Sequence, residues 1–381
     1  MNMNLKREIK LSDLVRRSGS VKKTGPSKAL GGEVVGLKIG ASQLAASRVA
    51  NNGSARLLQL ARCPLPSGIV VSGEVRDIPA LAAALNEYYR VHKLPRRGVR
   101  LGVATNRIGV RSFELAGIND EHQLENAIRF RAHDALSIPV DDAVLDYHVV
   151  SESLDDSGQT VRRIVLAAAY RDSIDRYVAA CKPAGIEVVA VDLEAFALLR
   201  TVAPALPGDA PAAVIAVTIG HDRTTLAISD GTVCDFTRVL EWGGSSLEAA
   251  IERELGVGAS EAAELKRTLS LETADALGAD ADERKSARAR EAVRRELQSL
   301  ARDLVNSLQF YQTQPGSLAI SEILLAGGTS RLNGLPDELE RLTHVRVRRA
   351  DPLERVEVAD SVGARDDLPS LAVAIGLGIE V

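Results

Sequence analysis

Lys38, Gly40, Ala41, Ser42 and Gln43 follow one short apolar run, and Gly220, His221, Arg223, Thr224 and Thr225 follow another built the same way. Each begins as an apolar strand (Val34-Val35-Gly36-Leu37, and Val214-Ile215-Ala216-Val217), passes an Ile-Gly turn and small or polar residues, and enters a second strand. This is the pattern of a Gly-tipped hairpin. Glycine lets backbone approach a ligand closely, and the polar residues after it offer donors to anionic oxygens. Two such hairpins can grip one phosphate chain from opposite sides, so the duplication predicts a nucleotide cleft between two related lobes.

Three further constellations fit that chemistry. Glu322-Ile323-Leu324-Leu325-Ala326 reads as a buried strand ending in Gly327-Gly328-Thr329-Ser330-Arg331, where exposed backbone, Thr329 and Arg331 can meet a base, ribose or phosphate. A Gly-Gly pair after a strand is also a common turn. Glu264, Lys266, Arg267 and Ser270 fall near one end of a helix, where a carboxylate can take ribose hydroxyls and arginine can stack on a base. The same charges also suit a solvated helix face. Trp242-Gly243-Gly244-Ser245-Ser246 forms a Gly-rich helix start with free N–H donors.

The elements that must position these residues need more than one core. A chain of 381 residues suggests two domains, and 45% hydrophobic with 26% charged residues is ordinary for a globular protein. A net charge of -4, with 3% aromatic residues and no basic stripe interleaved with aromatics, argues against nucleic acid as the main ligand. Cys63, Cys181 and Cys234 are widely separated, without metal-ligand spacing, which fits a reducing cytoplasm; no metal site is expected. No apolar run approaches the roughly 20 residues of a membrane span, and the amino terminus lacks the apolar core of a signal peptide.

Residues 1–32 stand apart, with eight basic residues against Glu8 and Asp13. They read as a flexible arm, either solubilising or docking on an acidic partner or an anionic membrane surface. The first lobe is expected at 33–111 and 191–203, with a βαββαβ unit inserted at 112–190. A Pro/Gly linker at Pro204 to Pro211 leads to the second lobe at 212–250 and 321–381. Its helical nucleotide-binding subdomain is expected at 251–320, where Val293, Leu297, Leu300, Leu304, Leu308 and Tyr311 mark the buried stripe of a long helix.

The two hairpins, the connector Asp192-Leu193-Glu194-Ala195-Phe196-Ala197, the Gly243-Gly244 helix start, Lys266-Arg267 and Gly327-Gly328-Thr329-Ser330-Arg331 occur in the order of the phosphate, connecting and adenosine motifs of the actin-like ATPase superfamily. Within it, Phe130-Arg131-Ala132-His133-Asp134-Ala135 with the following Leu136 to Tyr147, and the ending Pro369-Ser370-Leu371-Ala372-Val373-Ala374-Ile375-Gly376-Leu377, closely resemble the type IV pilus assembly PilM family, over about residues 33 to 381. The resemblance implies an α/β, bilobal actin-like fold of duplicated ribonuclease-H-like domains, related to the cell-division protein FtsA. It implies ATP as ligand and a cytoplasmic scaffold, peripheral at the inner or plasma membrane. That scaffold holds the cytoplasmic amino-terminal peptide of a bitopic PilN-like protein and links it to the pilus motor ATPase, with self-association left open.

The chain departs from that pattern where hydrolysis is decided. The first phosphate motif normally has Asp where this chain has Lys38, and the second has Asp where it has Thr218. Those carboxylates help hold hydrated Mg²⁺, so slow or absent turnover is expected, with Mg²⁺ dependence left open. Glu194 matches the connector acid that can orient a water. Lys38, flanked by Leu37 and Ile39, either pairs with Asp192 or Glu194 or contacts phosphate directly. The alternatives are an active actin-like ATPase that assembles filaments and, more distantly, a sugar or acid kinase, for which no catalytic Asp can be identified.

Overall fold

A computed structural model of the chain describes residues 32–118, 120–135, 139–202, 212–231, 233–272 and 281–380. The expected arm, apart from Gly32, lies outside the described residues, as do the expected linker at Pro204 to Pro211, residues 273–280 and residues 136–138 of the insertion motif.

The first lobe begins with the meander β1 (Glu33–Ile39), β2 (Gln43–Asn51) and β3 (Ala55–Pro64), followed by the short hairpin β4 (Val70–Val71) and β5 (Glu74–Val75). Helix α1 (Ile78–His92) is started by Asp77, whose carboxylate accepts the Ala80 N–H at 2.9 Å, and by Pro79 in its first turn. Strand β6 (Val99–Val103) then pairs parallel with β1. Alternation along β1 and β2 sends Val35, Leu37, Ile39, Leu44 and Ala46 toward α1.

The inserted unit is a three-stranded antiparallel sheet of β7 (Ile108–Ala116), β8 (Ala143–Leu154) and β9 (Thr160–Tyr170), in the order β7-β9-β8. Helix α2 (Glu121–Ala135) covers it with Leu124, Ile128 and Ala132. Helix α3 (Arg171–Cys181) and strand β10 (Val188–Leu193) complete the βαββαβ order but join the first lobe instead of the inserted sheet. Tyr177, Ala180 and Cys181 pack with Leu81, Leu85 and Tyr88 in the first-lobe core, and β10 pairs with β6 at the edge of the first-lobe sheet. Apolar spacing at 3.6 residues marks a buried helix face without saying which sheet it covers.

After α4 (Glu194–Val202), the second lobe repeats the plan. Strands β11 (Ala212–Ile219), β12 (Thr224–Ser229) and β13 (Cys234–Leu240) form its meander, followed by α5 (Gly244–Leu255), α6 (Ala259–Thr268) and the long α7 (Ala281–Gln312). Strand β14 (Ala319–Ala326), helix α8 (Leu335–Thr343) and β15 (Val347–Arg349) complete a sheet ordered β13-β12-β11-β14-β15. Ala213, Ile215, Val217 and Ile219 face the helices, including the α7 stripe, while Val214 and Ala216 face α4 and the last helix. With both faces covered, the strand reads as one continuous apolar run.

The end of the chain returns to the first lobe, whereas the sequence boundaries placed all of 321–381 in the second. Strand β16 (Glu357–Val358) pairs with β3, and α9 (Ala372–Gly378) packs between β1, β2 and α4. A Cβ on Gly36 would lie 2.2 Å from the Ala374 carbonyl, and one on Gly376 would lie 1.8 Å from the Ala197 carbonyl. Helix α9 therefore touches strand and helix backbone-to-backbone, and α4 with α9 forms the layer between the lobes. At the end of α9, Arg100 donates to Leu377 O at 3.2 Å and, just past the helix, to Ile379 O at 2.7 Å, while Arg200 donates to Gly376 O at 2.9 Å.

Candidate functional site

The two hairpin turns face each other across the lobe boundary and close identically. Gly40 N–H donates to Gln43 O and Gly220 N–H to Arg223 O, both at 2.9 Å. Between them lies a cleft of about 170 Å³, lined from the first lobe by Lys38, Gly40, Ala41, Ser42, Gln43 and Glu194. Thr218, Gly220, His221, Asp222, Arg223, Thr225, Lys266, Gly328 and Thr329 line it from the second.

Glu194, buried at the start of α4, is the hub. Lys38 Nζ lies 3.2 Å from one carboxylate oxygen and Arg223 Nη2 lies 3.5 Å from the other. Asp192, the other acid weighed for Lys38, pairs with Arg200 instead. Arg223 crosses from the second lobe into the first, where Nη2 also donates to the Ile39 carbonyl at 3.5 Å. Burial alone would lower its pKa, but Glu194, Tyr177 and Asp222 outweigh that, so the guanidinium stays charged. Burial pushes the nearby Tyr177 phenol up to about 12, with Arg223 opposing and Glu194 adding to it. That phenol donates to Gly73 O at 2.9 Å.

The second-lobe wall converges on one carbonyl. Gly244 N–H and the Thr329 hydroxyl both donate to Gly220 O, at 2.9 and 3.1 Å. Lys266 donates to Gly244 O at 3.2 Å and pairs with Glu248. Gly243, at the start of α5, abuts the His221 carbonyl. Gly327 has a φ of 90°, and a Cβ there would fall 2.3 Å from Ile219 O, so only glycine fits the turn that presents Gly328 and Thr329. A Cβ on Gly328 would find nothing nearer than the Ser370 Cβ at 3.9 Å.

Other expected site residues stand outside the cleft. Thr224 is buried and donates to Trp242 O at 2.8 Å, fastening the hairpin to the α5 start. Glu264 and Arg267 pair with each other on an exposed face of α6, and Arg331 is exposed after the Gly-Gly turn. Asp222, a wall residue that sequence reasoning passed over, accepts the Ser72 N–H at 2.7 Å from the other lobe. An acid in a turn gives no sign of a partner 150 positions away.

The two glycine turns, Lys38, Arg223 and Lys266 are thus brought to one cleft. Arg223 Nη1 is buried without a hydrogen-bond partner, with Asp222 Oδ1 at ion-pair distance, 3.7 Å. A buried donor left unpaired costs about 1–3 kcal/mol. Among the described residues, no three or more His, Cys, Asp or Glu side chains are grouped to hold a metal ion.

A second cavity, about 230 Å³, opens where the inserted unit meets the first lobe. Val144 and Asp146 of β8 and Ala167, Ala168 and Ala169 of β9 form one wall; Ala190, Val191, Asp192 and Leu193 of β10 with Phe196 and Arg200 of α4 form the other. Arg100, Val103 and Ile174 complete it. Both β8 and β10 are terminal strands of their sheets.

Two lobes of one hairpin-and-sheet plan, closed over a glycine-turned cleft with two helices between them, define an actin-like protein. The chain belongs to the family of type IV pilus assembly protein PilM, whose model matches residues 36–381. It is similar to a solved PilM-PilN type IV pilus biogenesis complex, at 27% identity and a TM-score of 0.75, covering 91% of this chain and 97% of that one. The fold alone is shared with the ethanolamine utilization protein EutJ of Carboxydothermus hydrogenoformans (15% identity, TM-score 0.52, 97% and 94% covered). The same holds for MreB 5 of Spiroplasma citri bound to AMPPNP (12%, 0.52, 92% and 95%). Among the described residues, no helix is long and apolar enough to cross a membrane.

Proposed function

We propose that this chain is a nucleotide-holding scaffold of type IV pilus assembly that binds the cytoplasmic amino-terminal peptide of a PilN-like membrane protein between its inserted unit and its first lobe. The observation that carries this reading is the cavity flanked by the two terminal strands β8 and β10, lined mostly by apolar side chains with Arg100, Asp146, Asp192 and Arg200 among them. An extended peptide can add main-chain hydrogen bonds to such an edge while its alternate side chains seat among Val144, Val191 and Phe196. Holding that peptide keeps the chain at the cytoplasmic face of the membrane, within reach of the pilus motor ATPase.

In this reading an adenine nucleotide takes the cleft, with Gly40 and Gly220 at its phosphates and Lys38, Arg223 and Lys266 balancing their charge. Turnover is absent or slow. Lys38 and Thr218 stand where the superfamily pattern has carboxylates, and Glu194, engaged by two cations, is an ion-pair acceptor ill-placed to serve as a base.

Calorimetric titration with the cognate PilN-type amino-terminal peptide tests the reading. Binding by the intact chain and a tenfold or greater loss on Phe196→Glu, with melting retained, supports it. No binding, or equal binding by that variant, overturns it.

A further inference from the structure

The inserted unit is joined covalently to the first lobe, yet it rests against the second. Strand β7 packs beside β13, the edge of the second-lobe sheet. From β9, Arg163 reaches across to two carboxylates of that lobe. Its Nη1 lies 3.3 Å from Asp230 Oδ2, and its Nη2 pairs with Asp235. The clasp is built from both sides. Asp230 is held in place by the Val233 N–H at 2.9 Å, and Arg163 Nε is steadied by the Ser112 hydroxyl at 3.4 Å. Both carboxylates are more buried than the guanidinium, 15% and 9% exposed against 30%.

Strand β9 thus has one end fastened to the second lobe while its other end, Ala167 to Ala169, forms a wall of the cavity. The facing wall, β10 and the start of α4, belongs to the first lobe and carries Glu194 into the cleft. Any change in the relation of the lobes must therefore move one wall against the other or break the clasp.

We propose that Arg163 couples the two sites, tying the inserted unit to the second lobe so that occupation of the cleft by nucleotide changes affinity for peptide in the cavity. The inference rests on the peptide and nucleotide sites proposed above. Coupling of this kind is reciprocal, so peptide must change nucleotide affinity by the same factor. Arg163 lines neither the cleft nor the cavity, so its loss leaves each site's own contacts intact.

The test is calorimetric titration of the intact chain with the PilN-type peptide, with and without saturating ATP and Mg²⁺. The expected ratio of the two dissociation constants is about fivefold or more in the unmodified protein. In Arg163→Met it falls to about one, while peptide affinity without nucleotide and nucleotide affinity without peptide each stay within about threefold. Asp230→Asn, which keeps the Asp235 contact, should give an intermediate ratio and carries the test if Arg163→Met does not fold. A ratio near one in the unmodified protein, or an equal ratio in the variants, overturns the coupling and leaves the peptide site standing. No peptide binding by the unmodified protein removes both.

Discussion

Among single residues, the buried carboxylate of Glu194 is the meeting point of the cleft's charges. Glu194 is shared by Lys38 from its own lobe and Arg223 from the other, so the site spends its acid on neutralising resident cations. Lys38→Met leaves Glu194 with one partner, and because both side chains are largely buried the expected loss is about 3 kcal/mol, read by denaturant titration. A midpoint unchanged from the parent would mean that the pair is solvated. Lys38→Asp, which restores the residue type of the superfamily pattern, sets two carboxylates side by side; it is expected to melt lower without gaining measurable turnover. Steady-state ATPase assays of the parent should show no turnover or very slow turnover, and a strong Mg²⁺-dependent rate abolished by Glu194→Ala would contradict this. Much of this was legible. Placing Lys38 on an apolar strand demanded a partner, and the choice between Asp192 and Glu194 was made by Arg200, which takes Asp192 from the same helix that Glu194 opens.

At the scale of elements, the two glycines after β14 separate shape from occupancy. Gly327→Ala forces a side chain onto the Ile219 carbonyl at a left-handed backbone position, so it should fold poorly. Gly328→Asp has room for its Cβ and places a carboxylate in the cleft, so melting should persist while calorimetric nucleotide binding is lost. Equal destabilisation by both would show that the turn, rather than the cleft, requires them. The turn before α9 carries an acid-sensitive contact. Hydrogen bonds from Arg365 hold the Asp367 carboxyl below its ordinary value, against the opposing effect of burial. A carboxyl with a depressed native pKa stabilises the fold above its unfolded value of 3.8, and that contribution drains away as pH falls through the native value. Melting temperature should therefore drop more steeply below about pH 4 in the parent than in Arg365→Met. The hairpins and the long helix α7 were readable because period and turn chemistry agree there. Helix α3 was not, since Ile174, Tyr177 and Cys181 announce a buried face that suits either the inserted sheet or the first-lobe core.

At the scale of the whole molecule, sequence order gave the duplication but concealed how the lobes are tied. Arg223 into the first lobe, Asp222 to Ser72, Asn106 to Glu241 and Arg163 to Asp230 and Asp235 are all contacts between distant positions. The cavity beside β10 is likewise lined by β8, β9, β10 and α4, elements that no local motif brings together. On the proposed function this cavity, rather than the second lobe, receives the membrane partner. Hydrogen exchange of the intact chain, with and without the PilN-type peptide, tests it most directly. Peptide addition should slow exchange along β8, β9 and β10, while β14 and α7 stay unchanged. Protection confined to the second lobe, or no protection at saturating peptide, would contradict it.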